Sequence, residues 1–251
     1  MAYLKSDEVE GFRRLARCIY LSKEVVEDFI DNATPGQMRA VTGLIEDELE
    51  VRERHKRERF MHKARFPVIK SFDGYDFSQV SFPEGYGAED LVGLGFVERA
   101  QDFVFHGKTG RGKTHLAIAI GIACVQQAKQ VRFFTAAELV MLLVRANHEQ
   151  GVEALLNEIA KADVVIIDEL GYVPLDIEGA RLLFQVMSDC YEKRSLIITT
   201  NIEFSKWGTV FGDDKLAAAL IDRIVHHGRL VEFNGTSRRM DAALMLGKTG
   251  E

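Results

Sequence analysis

Apolar residues change their rhythm twice along this 251-residue chain. Phe12, Leu15, Ile19, Val26 and Ile30 recur at helical spacing, and after Pro35 and Gly36 a second set does the same: Met38, Val41, Leu44, Ile45 and Leu49. Pro67 stops the pattern, so residues 1–66 read as a small all-α N-terminal domain. Residues 67–90 hold two of the four prolines, Pro67 and Pro83, among aromatic and turn-forming residues, and read as an ordered connector. From there on, short apolar runs alternate with longer periodic segments. Strands are expected at 102–106, 131–135, 163–168, 195–200 and 229–233. Helices are expected at 89–100, 113–128, 136–147, 152–161, 178–193 and 213–226. The runs VRFFT, DVVIID and SLIITT are continuously apolar, as strands covered by helices on both faces must be. Residues 91–251 therefore predict an α/β domain with a mostly parallel sheet.

Composition narrows the class. The chain is 47% hydrophobic and carries a formal net charge of -6, which argues against a generally basic, nucleic-acid-coated protein. That total hides a basic block: residues 51–70 hold eight Lys/Arg (Arg52, Arg54, Lys56, Arg57, Arg59, Lys63, Arg65, Lys70) against two acids, Glu53 and Glu58. Residues 1–50 are acidic, with eleven Asp/Glu against six Lys/Arg. Such asymmetry marks either a docking or nucleic-acid surface or a solvated Arg-rich helix face. No apolar run of about 18 residues occurs, and MAYLKSDEVEGFRR has acids where a secretory leader needs an apolar core. A cytoplasmic protein without a membrane partner is expected. Cys18, Cys124 and Cys190 are far apart and show no CxxC spacing, so they read as buried thiols.

The chemistry concentrates in three places. HGKTGRGKTHLA, residues 106–117, places Gly107, four residues, then Gly112, Lys113 and Thr114 directly between an apolar strand and a helix. Glycines there let successive backbone N–H groups turn toward a phosphate chain at a helix start. The span Gly107, Lys108, Thr109, Gly110, Arg111, Gly112, Lys113, Thr114 and His115 is thus expected to bind ATP, with Lys113 on the β and γ phosphates and Thr114 on Mg²⁺. The second place is the strand end Asp168–Glu169. Neighbours on a strand face opposite ways, so Asp168 is expected to complete the magnesium shell with Thr114 while Glu169 orients and polarises a water for hydrolysis. The third is SLIITTN, whose Asn201, beside Thr200, is expected near the γ-phosphate or that water.

In this order, loop, DELGY, TTN and a late arginine, the chain resembles AAA+ ATPases of the initiator and helicase-loader clade. LGYVPLD, EGARLLFQ and FSKWGTVFGD resemble, more narrowly, the IstB-like ATP-binding helpers of insertion-sequence transposition, over about residues 50–240. The resemblance implies a five-stranded parallel sheet ordered 5-1-4-3-2 with no separate C-terminal lid. It implies that Arg223 reaches the ATP site of a neighbouring subunit and stabilises charge on the transferred phosphate; the same residue could instead be a helix arginine paired with Asp222 or Glu232. Arg239 occupies the place of a nucleotide-sensing arginine, although Arg238 stands where the family has tyrosine. Lys108 and Arg111 depart from the family's Pro and small residue. Phe72, Phe77 and Val80 fall where this clade packs against adenine, or simply dock the connector.

The function implied is an ATPase that oligomerises with ATP on double-stranded DNA and helps the transposase of the same element select and engage its target. Arg52, Arg54, Arg57, Arg59 and Arg145 are candidate phosphate contacts. The alternative partner set is that of a DnaC-like replicative helicase loader. A third reading is a nucleotide-gated adaptor with little turnover, against which the retained Asp168 and Glu169 argue.

Overall fold

The computed structural model describes residues 6–237. The chain divides into two compact units between Arg59 and Phe60. The first contains α1 (Ser6–Cys18), α2 (Lys23–Asn32) and most of α3 (Pro35–Ala64). Phe12, Ala16, Val26, Met38 and Ile45 are buried together, with Leu15, Ile19, Ile30, Val41 and Leu49 packed around them. Leu44, expected on that face, is 68% exposed, because its neighbour Ile45 takes the inward position. Arg13 clamps α1 to α2 by donating to Glu27 at 2.6 and 3.0 Å. α3 ends at Ala64 because Arg65 turns into the left-handed region (φ +59) two residues before Pro67.

The second unit is built on a six-stranded sheet. Its strands are β1 (Val80–Ser81), β2 (Asp102–His106), β3 (Val131–Thr135), β4 (Val164–Leu170), β5 (Ser195–Thr200) and β6 (Gly228–Phe233), in the order β1-β6-β2-β5-β4-β3. The five long strands run parallel in the expected 5-1-4-3-2 order, and β1, from the connector, adds antiparallel to β6 at the edge. This sixth strand was not legible in the sequence: two residues are too few to show a period.

Alternation along the strands feeds two cores. Val165, Ile167, Leu196 and Ile198 face α7 (Ala136–His148), α9 (Ile177–Cys190) and α11 (Asp214–His227). Val164, Ile166, Ile197, Phe103 and Phe105 face α6 (Lys113–Gln126) and the connector. α6 is apolar nearly all round because the sheet covers one side and Phe60, Phe66 and Phe72 another. At Gly121 a Cβ would stand 2.7 Å from the Phe66 ring, so a larger residue there would displace the ring.

The expected helix 89–100 is instead two short ones, α4 (Ala88–Val92) and α5 (Gly95–Glu98). Leu91, Leu94 and Phe96 are all buried, and a single straight helix does not put positions three and five apart on one side; Leu94 (φ +59) breaks it. The 204–211 segment, for which no element is expected from the sequence, forms a 3₁₀ turn (Phe204–Lys206) and α10 (Trp207–Phe211), burying Trp207, Val210 and Phe211. α8 (Val152–Ile159) follows α7. Cys124 and Cys190 are buried, and burial pushes both thiols up to about 12; Cys18, expected buried, is exposed. Among the described residues no helix is long and apolar enough to cross a membrane.

Asp102 opens β2 with only 3% exposure, its Oδ1 accepting the Leu196 N–H at 2.8 Å. Burial pushes its pKa up to about 7, opposed by that hydrogen bond. The folded state thus keeps a proton that the unfolded chain releases near pH 4, so this contribution to stability is full at low pH and is lost as pH rises toward 7. Asp102→Asn should keep the acceptor and remove the slope. In urea unfolding, the variant should gain on the wild type across that window by up to about 1.4 kcal/mol per pH unit; parallel stability curves would refute the assignment.

Candidate nucleotide site

The C-terminal edge of the sheet brings the three motifs together. β5 lies between β2 and β4, with His106 level with Thr200 and Ile167 level with Ile198. The loops that leave β2, β4 and β5 therefore open on the same edge, where the strand order reverses and parallel α/β sheets leave a crevice.

The phosphate loop is shaped by glycines at positions that admit nothing else. Gly107, Gly110 and Gly112 have φ of +152, +85 and +95. A Cβ on Gly107 would strike the Phe233 carbonyl oxygen, one on Gly110 the Ser237 hydroxyl, and one on Gly112 would stand 3.0 Å from the Tyr75 hydroxyl. Gly107 N–H donates to Thr200 O at 3.2 Å, tying the loop to β5. Lys113 is 6% exposed, and its ammonium donates to the carbonyls of Gly107 (2.5 Å) and Lys108 (3.0 Å). Lys108 and Thr109 are exposed, whereas Arg111 turns back to donate to Phe233 O at 2.9 Å. The connector backs the loop: His115 Nε2 lies 3.1 Å from Ser71 O, and the His115 and Tyr75 rings are 5.2 Å apart. Phe72, Phe77 and Val80 pack against the α6 core.

Asp168, 3% exposed, is the hub of the site. Its Oδ1 accepts the Thr114 hydroxyl at 2.9 Å and the Thr199 hydroxyl at 2.5 Å. Thr199 Oγ1 in turn accepts the Glu169 N–H at 2.9 Å. The ladder shifts between Ile167 and Leu170, and Glu169 sits in the left-handed region (φ +62) with an exposed side chain. A bulge of this kind re-aims a side chain at a strand end, so Asp168 points into the protein and Glu169 to the cavity rim. Thr199 shows in the sequence only as the first of the doubled threonine in SLIITTN.

Residues 109–115, Glu169 and Thr199, with Val68, Lys70, Ile118 and Tyr172, line a cavity of about 380 Å³; Asp168 is not in that lining and is tied to it through the Thr114 and Thr199 hydroxyls. Asn201 follows β5 on the same edge but is exposed and does not line this cavity. Arg223 is away from it on α11: the guanidinium lies 5.2 Å over the Phe184 ring and donates to Ser188 Oγ at 3.3 Å, rather than pairing with Asp222 or Glu232. Arg239 lies outside the described residues. Arg52, Arg54, Arg57 and Arg59 are exposed on α3, Arg52 paired with Glu48 at 2.7 Å. Arg145, exposed on α7, pairs with Glu149 at 3.0 Å.

The donor chemistry fits a nucleotide with a magnesium ion. Loop backbone that no Cβ permits, a helix start and a buried lysine suit a polyphosphate. Thr114 and Asp168 are hard oxygen donors, which Mg²⁺ takes in small number beside phosphate oxygens. No group of three or more His, Cys, Asp or Glu suited to a metal stands among the described residues.

Fold and site together define a P-loop protein with the AAA+-like architecture. Solved structures agree on that fold. The DnaC helicase loader superposes with TM-score 0.52 over 70% of this chain and 99% of its own, at 20% identity. The replication initiator DnaA bound to AMPPCP and single-stranded DNA gives 0.51 over 63% of this chain and 49% of its own, at 18% identity. Within that class the chain belongs to the IstB-like ATP binding protein family, which it matches over residues 18–244. It is 38% identical over 215 residues to an insertion sequence IS232 putative ATP-binding protein of Bacillus thuringiensis subsp. berliner, covering 86% of each chain. It is also 38% identical to an insertion sequence IS21 putative ATP-binding protein of Pseudomonas aeruginosa, covering 74% of this chain and 71% of the other.

Thr199→Val should leave the Glu169 N–H without its acceptor and remove one donor from Asp168. The cost should be about 1–3 kcal/mol in denaturant unfolding, largely recovered in Thr199→Ser. Equal stability of the valine variant would show that the hydroxyl does not hold the site.

Proposed function

We propose that this protein is an ATPase that assembles with ATP on duplex DNA and helps the transposase of its own insertion sequence engage target DNA. What carries the reading is the convergence of the phosphate loop, Thr114, Thr199 and Glu169 around one cavity, with Asp168 bonded to both threonines, in a chain whose relatives are named as ATP-binding proteins of insertion sequences. The backbone of residues 107–114 cradles the β and γ phosphates, and Lys113 exchanges the loop carbonyls for phosphate oxygens. Thr114 and Asp168 hold magnesium, which when bound neutralises phosphate charge. Glu169, released from the buried side of the strand by its left-handed conformation, orients the attacking water; Asn201, on the same sheet edge but outside the cavity lining, approaches the γ-phosphate from beyond it. Arg223 serves a neighbouring subunit's site; its perch on Phe184 and Ser188 leaves Asp222 and Glu232 out of its contacts. The helical residues 1–66, with Arg52, Arg54, Arg57 and Arg59, dock DNA or partner, and Arg145 adds a second phosphate contact. The whole acts in the cytoplasm.

Two experiments test this. Glu169→Gln should accumulate large ATP-dependent complexes that do not come apart, sized at fixed salt on duplex and single-stranded DNA of equal length. Preference for duplex supports the transposition role; preference for single strands, or assembly only with a helicase, transfers the protein to the helicase loaders whose fold it shares. Arg223→Ala should bind ATP normally and lose DNA-stimulated turnover by about 10³-fold or more. Full stimulated turnover in that variant removes Arg223 from the mechanism.

A further inference from the structure

The end of β4 and the turn that follows it are unusual in their backbone. Glu169 and Gly171 both have positive φ, +62 and +94, and the Tyr172 N–H closes the turn on Glu169 O at 3.4 Å. Such a conformation persists only where its surroundings hold it. On one side they do so tightly: a Cβ on Gly171 would stand 2.7 Å from Ile202 Cγ1, so the turn is seated on that side chain. The Ile202 carbonyl accepts the indole N–H of Trp207, the chain's single tryptophan, at 3.3 Å. On the other side the Tyr172 hydroxyl and Thr109 Oγ1 are 2.7 Å apart. Tyr172 is 43% exposed and borders two cavities. One is the phosphate-loop cavity; the other, about 900 Å³, runs along α7 past Val140, Met141 and Val144. Glu169 borders both as well.

We propose that Tyr172 is a positioning residue that couples the phosphate loop to the turn carrying Glu169, through its hydroxyl contact with Thr109. Thr109 stands at the exposed part of the loop, whose N–H groups gather round an anion, so it moves with the loop. The phenol is a stiff lever with two side-chain torsions. The turn is already constrained at both left-handed positions, so it shifts as a unit rather than bending. Displacement of Thr109 thereby moves Glu169, and through Gly171 and Ile202 it reaches the surroundings of Trp207. The inference rests on reading the loop as the ATP site.

The test uses the full chain and Trp207 emission, with Glu169→Gln as the parent so that ATP binds without turnover. Saturating ATP should change the parent's emission. Adding Tyr172→Phe, which deletes only the hydroxyl, should suppress that change while a fluorescent ATP analogue still binds with little altered affinity. Thr109→Val should suppress it equally, and the two together no further, since groups that act as one are not additive. In the Glu169 protein, Tyr172→Phe should lower kcat roughly tenfold with KM unchanged. An emission change that survives Tyr172→Phe, additive losses in the pair, or a parent that binds ATP without any change would each overturn the coupling. Lys113→Ala reports on the site separately: undiminished ATP binding there refutes the phosphate-site reading, while lost binding with the parent's emission change intact leaves both standing.

Discussion

One buried carboxylate oxygen holds this site in register. Asp168 Oδ1 takes a hydroxyl from the first turn of α6 and another from β5. A carboxylate at 3% exposure must have its lone pairs satisfied or lose its charge. The start of α6, the end of β4 and the end of β5 are thus fixed to one point, and the distances among Thr114, Asp168 and Thr199 follow from it. The bulge follows too: when the Glu169 N–H turns sideways to Thr199 Oγ1, the strand takes one extra residue before Leu170 meets Thr200. That extra residue is Glu169, pushed out to the cavity rim.

The sheet supplies the platform on which this constraint operates. Parallel strands with apolar residues on both faces need helices on both sides, and the two cores separate accordingly. α6 covers one face with its N-terminus at the crevice, and its almost wholly apolar surface requires further cover from the connector. The connector then supports the loop as well. Tyr75, Ser71 and the β6 end at Phe233 back the loop from behind, with Gln79 O accepting the Asn234 N–H at 2.8 Å. The phosphate loop is therefore held by β5, the connector and β6 together, while Lys108 and Thr109 stay exposed.

The arginines divide by location. Arg111, in the loop, is spent on the Phe233 carbonyl, which leaves Lys113 as the buried charge of the cavity. Arg223 stacks on an aromatic ring of α9, a stable half-buried seat for a guanidinium. The α3 arginines and Arg145 are exposed, and the pairs they make with Glu48 and Glu149 are surface ion pairs of small energy.

The five parallel strands, most helices that cover them, and the loop with Lys113, Thr114, Asp168 and Glu169 are all determined by the sequence itself. Each is a local pattern: continuous apolar runs, helical periodicity, or glycines and a lysine at fixed spacing beside a strand. Tertiary structure alone decided the rest. Leu94 had to leave helical geometry so that three apolar side chains could be buried, and Leu44 yielded the core to Ile45. β1 is a strand only because β6 offers it an edge. Thr199 acquires its role from a carboxylate 31 positions earlier, and Tyr172 from a hydroxyl 63 positions away. Contacts of that kind leave no periodicity or composition behind, because they depend on where folded elements meet rather than on what lies next along the chain.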